Sequence, residues 1–205
     1  MLAIFKREFK SYFQNVIGWL FVAALLAVYG LYFYVYNLKN GYPYISYDLN
    51  GIGFIMMIAV PILTMRSLSD EKKTKTDQLM LTSPVSVGRI VAGKYFAMAA
   101  VYTIDIALFA LSPLVLSIYG KVALSEAYVA LFGYWLYGLS CIAVGLFISS
   151  ISESVIISAI LTFAALFLSY MMQSITGLIS SSGNLLTKVL NCFDLYTPFE
   201  NFVSG

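Results

Sequence analysis

Long stretches without a charged residue constrain this fold more than any other feature of the chain. They cover residues 16–36, 127–152 and 154–182. Each reaches the ~20 residues that a helix needs to cross the ~30 Å hydrocarbon core of a membrane. Lipid offers no hydrogen-bond partner to the backbone, so such a run must be helical there. With 60% hydrophobic and 11% charged residues, the chain is predicted to be an all-α membrane protein.

Two less regular stretches complete the predicted bundle. The apolar run over residues 52–65 is short for a crossing, and a re-entrant hairpin is the alternative to a full span. Residues 44–51 carry only Asp48 and can extend this helix, while Pro61 should kink it. Another span is expected over residues 90–119, with interruptions at Asp105 and Pro113.

The positions of the basic residues decide between the hairpin and the crossing. Lys and Arg near membrane helices stay in the cytoplasm. With a cytoplasmic amino terminus and a full crossing at residues 52–65, most of the 12 basic residues lie inside, whereas a hairpin reverses that division. We therefore predict five transmembrane helices in a single transmembrane domain, residues 1–205. The expected location is the cytoplasmic or inner cell membrane, which the chain crosses several times from a cytoplasmic amino terminus.

The first 14 residues are predicted to form an elbow helix in the membrane interface. Phe5 and Phe9 recur at helical spacing, and Lys6 and Arg7 lie between them. A cleaved signal peptide is the competing interpretation. It is rejected because the following run has spanning length and no small-residue cleavage site closes it.

The carboxyl-terminal segment, residues 183–205, is predicted to lie on the extracytoplasmic membrane surface. Its apolar residues share one helical face, and Thr197-Pro198 is expected to break that helix. The residues of this face are Leu185, Leu186, Val189, Leu190 and Phe193.

Several kinds of chemistry are disfavoured by the residues available. Histidine is absent and there are two cysteines, which leaves few ligands for a transition metal and no usual general base. GRIVAGKY, residues 88–95, resembles a phosphate-binding loop, but Tyr95 replaces the hydroxyl residue that holds Mg²⁺ and no buried strand precedes Gly88. The chain is therefore predicted not to be an enzyme, to bind no cofactor or metal, and to have no nucleic-acid partner.

Asp105 is the candidate intramembrane polar residue. It lies near the middle of the third predicted span, where a carboxylate without a partner is costly and suggests function. The alternative is a protonated or hydrogen-bonded Asp that joins helices, with Tyr102, Thr103 and many Ser and Tyr hydroxyls as candidate partners. The sequence leaves both interpretations open.

A polar island over residues 66–94 interrupts this apolar sequence. Its charged run DEKKTK is followed by Leu79 and Leu81, which are apolar side chains in a segment predicted to face the cytosol. Ser83-Pro84 ends this leucine-containing segment. A short helix that offers leucines to a soluble partner explains this pattern better than a solvated loop does.

The island resembles the loop that follows the second helix in permease subunits of type-2 ABC exporters, particularly the gliding-motility and nitrous-oxide-reductase accessory branches. That loop typically has acidic residues before Lys, then Gly-Thr, leucines and Ser-Pro, followed later by Gly-Lys. This chain departs from it at Lys75, where Gly is usual, and at Gln78, where Glu is usual. The matching residues are Asp70, Glu71, Lys72, Thr76, Leu79, Leu81, Ser83, Pro84, Gly93 and Lys94.

The resemblance implies a permease with an amino-terminal elbow helix and a cytoplasmic coupling loop, residues 66–89. Its partners would be two cytosolic ABC ATPase subunits that bind ATP and Mg²⁺, a second permease subunit in a homo- or heterodimer, and membrane lipid. It also implies a sixth transmembrane helix beyond residue 205. The expected ATPase-coupling residues are Asp70, Glu71, Lys72, Thr76, Gln78, Leu79, Leu81, Ser83 and Pro84.

Two other functions stay open at this point. An ion-coupled carrier or channel would use Asp105 on a hydrated path, and a non-transporting subunit would only assemble or tether other proteins. The apolar spans suit a lipid, a hydrophobic peptide or a glycan precursor equally, so the substrate is not predicted.

Overall fold

All regular structure in the described residues is helical, which confirms the predicted all-α class. The computed structural model describes residues 2–75, 86–119, 122–179 and 194–204. In chain order the helices are α1 Leu2–Gln14, α2 Val16–Phe33 with a π-helical continuation Tyr34–Lys39, α3 Ser46–Thr64, α4 Ser69–Lys73, α5 Val87–Phe109, α6 Ser112–Tyr119, α7 Leu124–Ile151, α8 Val155–Ile179 and α9 Tyr196–Ser204.

Five segments in the described ranges are long and apolar enough to cross a membrane, as predicted. The second begins at Ser46, so the short apolar run is extended on the side of Asp48. With 19 residues and a rise of about 1.5 Å each, α3 can span most of the hydrocarbon core. The segments are Val16–Lys39, Ser46–Lys73, Val87–Tyr119, Leu124–Ile151 and Val155–Met172.

The third span is interrupted near Pro113, as predicted, but not at Asp105. Asp105 does not interrupt it, because α5 runs through this residue to Phe109. The break falls at Ala110 and Leu111, directly before α6 begins at Ser112. Pro113 is then the second residue of α6, where its missing N–H removes no helical hydrogen bond.

The prediction that Thr197-Pro198 breaks a helix is wrong. Both residues lie in the first turn of α9, where proline is tolerated. Asp194 caps this turn, since its Oδ1 accepts the backbone N–H groups of Tyr196 at 3.0 Å and Thr197 at 2.9 Å. The five apolar residues expected to share a face, 185 to 193, lie outside the described residues.

Aromatic side chains dock α9 against α3, α7 and α8. The Tyr196 ring lies 4.6 Å from the Tyr170 ring of α8 and 5.9 Å from the Tyr137 ring of α7, and its hydroxyl donates to Asn50 Oδ1 of α3 at 3.2 Å. Phe199, only 3% exposed, stacks on Tyr137 at 5.3 Å. One face of α9 is therefore part of the protein core.

The core is centred on α3 and α7. Within the most apolar 18-residue stretch of each span, 56% of the residues of the second span and 50% of those of the fourth are buried. The corresponding fractions are 28% in the first span and 22% in the fifth. Thr64 of α3 packs on Gly145 of α7, and Tyr102 of α5 packs on Gly138, at distances that leave no room for a Cβ. Both glycines therefore allow close helix packing.

Candidate functional site

Three segments of the chain meet at one buried ammonium group, that of Lys94 in α5. Lys94 is 2% exposed, and its Nζ donates to the carbonyl oxygen of Ser67 at 2.9 Å and to Glu71 Oε1 at 2.6 Å. Glu8 Oε1 of the elbow helix α1 lies 3.4 Å from the same nitrogen. A single side chain therefore joins α5, α1 and the segment that contains α4. We call this group the lysine junction.

The charges of the lysine junction balance once Arg7 is counted, because Lys94 and Arg7 together offset the carboxylates of Glu8 and Glu71. A buried ammonium is tolerated where carboxylates and further acceptors replace its lost hydration. Glu8 and Glu71 remain 15% and 19% exposed, so both carboxylates keep some contact with solvent. Glu8 also accepts a hydrogen bond from Arg7 Nη2 at 2.7 Å, which links the junction to the outer surface of α1.

Gly93 allows α1 to approach α5 closely enough to complete the junction. A Cβ at this position would lie only 2.9 Å from Cγ2 of Ile4 and 3.5 Å from the backbone nitrogen of Phe5. Glu8 follows Ile4 by one helical turn, and residues four apart share a helix face. The Gly93-Lys94 pair thus provides both the space for α1 and the charge that holds it.

A serine of α7 holds the start of α4. Ser149 Oγ accepts the backbone N–H groups of Leu68 at 3.1 Å and Ser69 at 3.2 Å, and the Ser69 hydroxyl donates to the Ser149 carbonyl at 3.2 Å. Amides at a helix start have no partner within the helix, so a side-chain oxygen from α7 takes the place of a local cap. The same short segment is therefore attached to α5, α1 and α7.

The elbow helix has one exposed and one partly buried side. Lys6 and Arg7 are exposed, and Phe5 and Phe9 are partly buried with their rings stacked at 5.9 Å. Burial raises the pKa of the Tyr12 phenol above its usual value, and the Glu8 carboxylate adds to this rise. Tyr12 therefore stays protonated beside the junction.

Only three of the predicted coupling residues lie within the described part of the chain. Glu71 joins the lysine junction, Asp70 is exposed on α4, and Lys72 is half-buried in the last turn of α4. Thr76, Gln78, Leu79, Leu81, Ser83 and Pro84 lie outside the described residues.

A polar cleft separates α1 from the α4 segment. Its volume is about 660 Å³, and Arg7, Asn15, Arg66 and Asp70 are among the residues that line it. We call it the elbow cleft. The lysine junction forms part of its wall, since Glu8, Glu71 and Lys94 also line it.

Asp105 forms no hydrogen bond with Tyr102 or Thr103, the two partners predicted for it by name. It is fully buried, and both of its carboxylate oxygens lack a hydrogen bond within the described part of the chain. Tyr102 donates instead to the carbonyl of Tyr134 at 2.7 Å, and Thr103 donates to the carbonyl of Ala99 at 2.7 Å. The hydrogen-bonded alternative is therefore wrong for Tyr102 and Thr103.

The sequence prediction missed most of the residues that build this site. In the sequence, Gly93 and Lys94 belong only to a phosphate-loop pattern and to the family resemblance, and no pattern assigns a role to Glu8 or Ser67. Residues 88–95 all lie in α5, so they form a helix and not a phosphate-binding loop. The available indication was a lysine placed among apolar residues a short distance into a predicted span.

Comparison with known proteins identifies the family. Residues 32–204 match the family described as ABC-2 family transporter protein, and this range includes Glu71, Lys94 and Ser149. No curated protein and no solved structure matches the chain. The matched range takes in most of the 205 residues and four of the five span-capable segments, with part of the first. The chain belongs to the ABC-2 transporter family, and is thus a multi-pass membrane permease component of an ATP-binding cassette transporter.

Proposed function

We propose that this permease is an exporter driven by separate cytosolic ATPase subunits, which act on residues 66–89. The lysine junction is the observation that carries the proposal. An external ATPase can move the spans only if the segment that it contacts is attached to them. Glu71 and Ser69 of α4 provide such attachments, through Lys94 to α5 and α1 and through Ser149 to α7.

The bonds of the junction suit transmission of a displacement. Charge-assisted hydrogen bonds are shorter and stronger than neutral ones, and the 2.6 Å contact between Lys94 and Glu71 is of this kind. Because Lys94 is buried, water cannot easily replace Glu71 when α4 moves. A shift of α4 is then passed to α5 and the elbow helix together.

The remaining parts of the proposed assembly rest on the family and on the charge pattern. Two ATPase subunits would bind ATP and Mg²⁺, and a second permease subunit would complete the transport path. The basic residues of α1 and of residues 66–94 favour a cytoplasmic amino terminus in the cell membrane. The direction of transport and the relation to the gliding-motility and nitrous-oxide-reductase branches rest on the sequence resemblance.

Reconstitution with the ATPase tests this proposal. The permease, its cognate ATPase and any second permease subunit are purified together and placed in proteoliposomes. Glu71→Gln keeps the shape of the side chain but removes its charge, so transport per ATP hydrolysed should fall about tenfold, for a loss near 1.4 kcal/mol. The matched control is Lys39→Gln, at an exposed position beyond the far end of α2.

The Glu71 result discriminates between coupling and assembly. Retained ATPase binding with reduced transport per ATP supports the proposal. Unchanged transport in Glu71→Gln contradicts a coupling role for the junction. Failure of any ATPase to co-purify in mild detergent, with no ATP-dependent transport, would favour the tethering alternative.

The sequence also predicts a contact surface for the ATPase. Replacing both Leu79 and Leu81 with alanine should weaken ATPase binding while leaving membrane insertion intact, because apolar side chains facing the cytosol need a partner. ATPase co-purification measures the first effect, and the amount of permease in the membrane measures the second.

Asp105 favours one alternative function, that of an ion-coupled carrier. Its two oxygens are buried without a described hydrogen-bond partner, as expected of a residue that binds and releases a cation or proton. A carrier would transport along a proton gradient without ATP, and Asp105→Asn would abolish that transport. ATP-dependent transport that is indifferent to the gradient excludes the carrier.

A further inference from the structure

The lining of the elbow cleft includes one positively charged and one negatively charged side chain that take no part in the lysine junction. Of the charged residues in its lining, Lys94 is matched by Glu71 and Glu8, and Arg7 is bound to Glu8. Arg66 and Asp70 remain. Both side chains are exposed, and neither forms an ion pair within the described residues.

We propose that the elbow cleft binds the headgroup of phosphatidylethanolamine, with the phosphate on Arg66 and the primary ammonium on Asp70. The remaining charges of the cleft are one positive and one negative, so a ligand that carries both signs matches them better than a purely anionic one. A guanidinium donates to phosphate through several N–H groups, and a carboxylate accepts from a primary ammonium. The volume of about 660 Å³ lies within the usual range for small-ligand sites.

The position of the cleft provides access to lipid. α1 is amphipathic and joins directly to α2, the first span-capable segment, and Asn15 at this joint lines the cleft. Trp19, close to the start of α2, is 60% exposed, and its Nε1 donates to the carbonyl of Phe13 at 2.9 Å. Tryptophan is enriched at the level of the lipid headgroups. We therefore place the mouth of the cleft at the headgroup level, where phosphate and ammonium groups are concentrated.

A bound headgroup would connect two elements that flank the lysine junction. Arg66 and Asp70 belong to the α4 segment, whereas Arg7 and Asn15 belong to the elbow helix and its end. The lipid would fill the space between them beside Lys94. This inference does not depend on the direction of transport or on the ATPase.

Lipid retention by the purified, delipidated protein tests the proposal. Native mass spectrometry would compare phosphatidylethanolamine with phosphatidylglycerol, which lacks the ammonium, and with phosphatidylcholine, whose ammonium has no N–H. We expect phosphatidylethanolamine to bind about tenfold more tightly than either, because each competitor lacks one charge-assisted hydrogen bond. Soluble phosphoethanolamine should compete only weakly, because it lacks the acyl chains.

Two variants locate the site. Arg66→Gln and Asp70→Asn should each weaken phosphatidylethanolamine binding about tenfold, and Asp70→Asn should remove the preference over phosphatidylcholine. Lys73→Gln is the matched control, since this exposed residue of α4 does not line the cleft. Both substituted side chains are exposed, and an unchanged melting temperature without lipid verifies that the variants are folded.

Three results would overturn the proposal. They are equal retention of the three lipids, unchanged binding in both variants, and binding of soluble phosphoethanolamine as tight as that of the lipid. The last result would assign the cleft to a free small molecule. None of these measurements involves ATP, so they can fail while the proposed coupling function holds.

Discussion

Replacing Lys94 with methionine tests the lysine junction most directly. Methionine fills similar space but removes the donor shared by Ser67, Glu71 and Glu8. Removing one partner of a buried ion pair destabilises proteins by about 3–5 kcal/mol. Glu8 and Glu71 keep some solvent contact, so the loss should be near the lower value, about 3 kcal/mol. For a chain of this size that corresponds to a melting temperature lowered by about 6–12 °C.

A cysteine of the chain can be used to follow unfolding in this measurement. Cys141 is a free cysteine and 1% exposed, so a thiol-reactive fluorophore should label it only when the protein unfolds. In a Cys192→Ser background Cys141 is the sole thiol. Lys39→Met is the matched control, because it removes an exposed lysine at the other end of the first span. A melting temperature within about 2 °C of the parent for Lys94→Met would refute this account of the junction.

A double-mutant cycle isolates the contact between Lys94 and Glu71. Once Lys94 is methionine, Glu71 has lost its nearest described cation, so Glu71→Gln should be less destabilising than in the parent. The coupling energy should fall within about 0.5–3 kcal/mol, as for other residues in direct contact. Additive effects of the two substitutions would mean that the 2.6 Å contact contributes no stability.

Three further substitutions probe the elements around the junction, each by its melting temperature. Gly93→Val should destabilise the protein by about 1–3 kcal/mol because it pushes Ile4 and α1 away, whereas Gly88→Val, at a position with open space, should have little effect. Equal effects would contradict close packing at Gly93. Ser149→Ala should cost about 1–2 kcal/mol because the amides at the start of α4 lose their acceptor, and Ser150→Ala is the control. No difference between the two serine variants would argue against this cap. Lys75→Gly should stabilise the protein by about 1 kcal/mol, since Lys75 has a φ of 55° and glycine adopts that conformation without strain. A lower melting temperature would contradict this reasoning.

The spans could be predicted because the sequence of each apolar run is sufficient to identify it as a membrane helix. An uncharged run of sufficient length must be helical in lipid, whatever surrounds it. The same reasoning extended α3 back toward Asp48. It failed at Pro198, because proline is compatible with the first turn of a helix and Asp194 provides the cap that starts a new one.

The lysine junction could not be predicted in this way, because its partners are distant in sequence. Glu71 precedes Lys94 by 23 residues, and Ser149 follows Ser69 by 80. Periodicity and motif spacing carry no information on such pairs. The resemblance placed Lys75 where glycine is usual, and the positive φ there gives a physical reason for glycine at that position.

The docking of α9 restricts how this bundle can deform. Tyr196 touches α3, α7 and α8 at once, through Asn50, Tyr137 and Tyr170. Sliding any of these three helices past another would pull its ring or amide off Tyr196, so they should tilt together as a rigid block. Neither a ring contact nor a hydrogen bond to this tyrosine is described for α2 and α5, so we expect a compliant seam to run along these two helices. A passage that widens during a transport cycle would be expected to open along that seam.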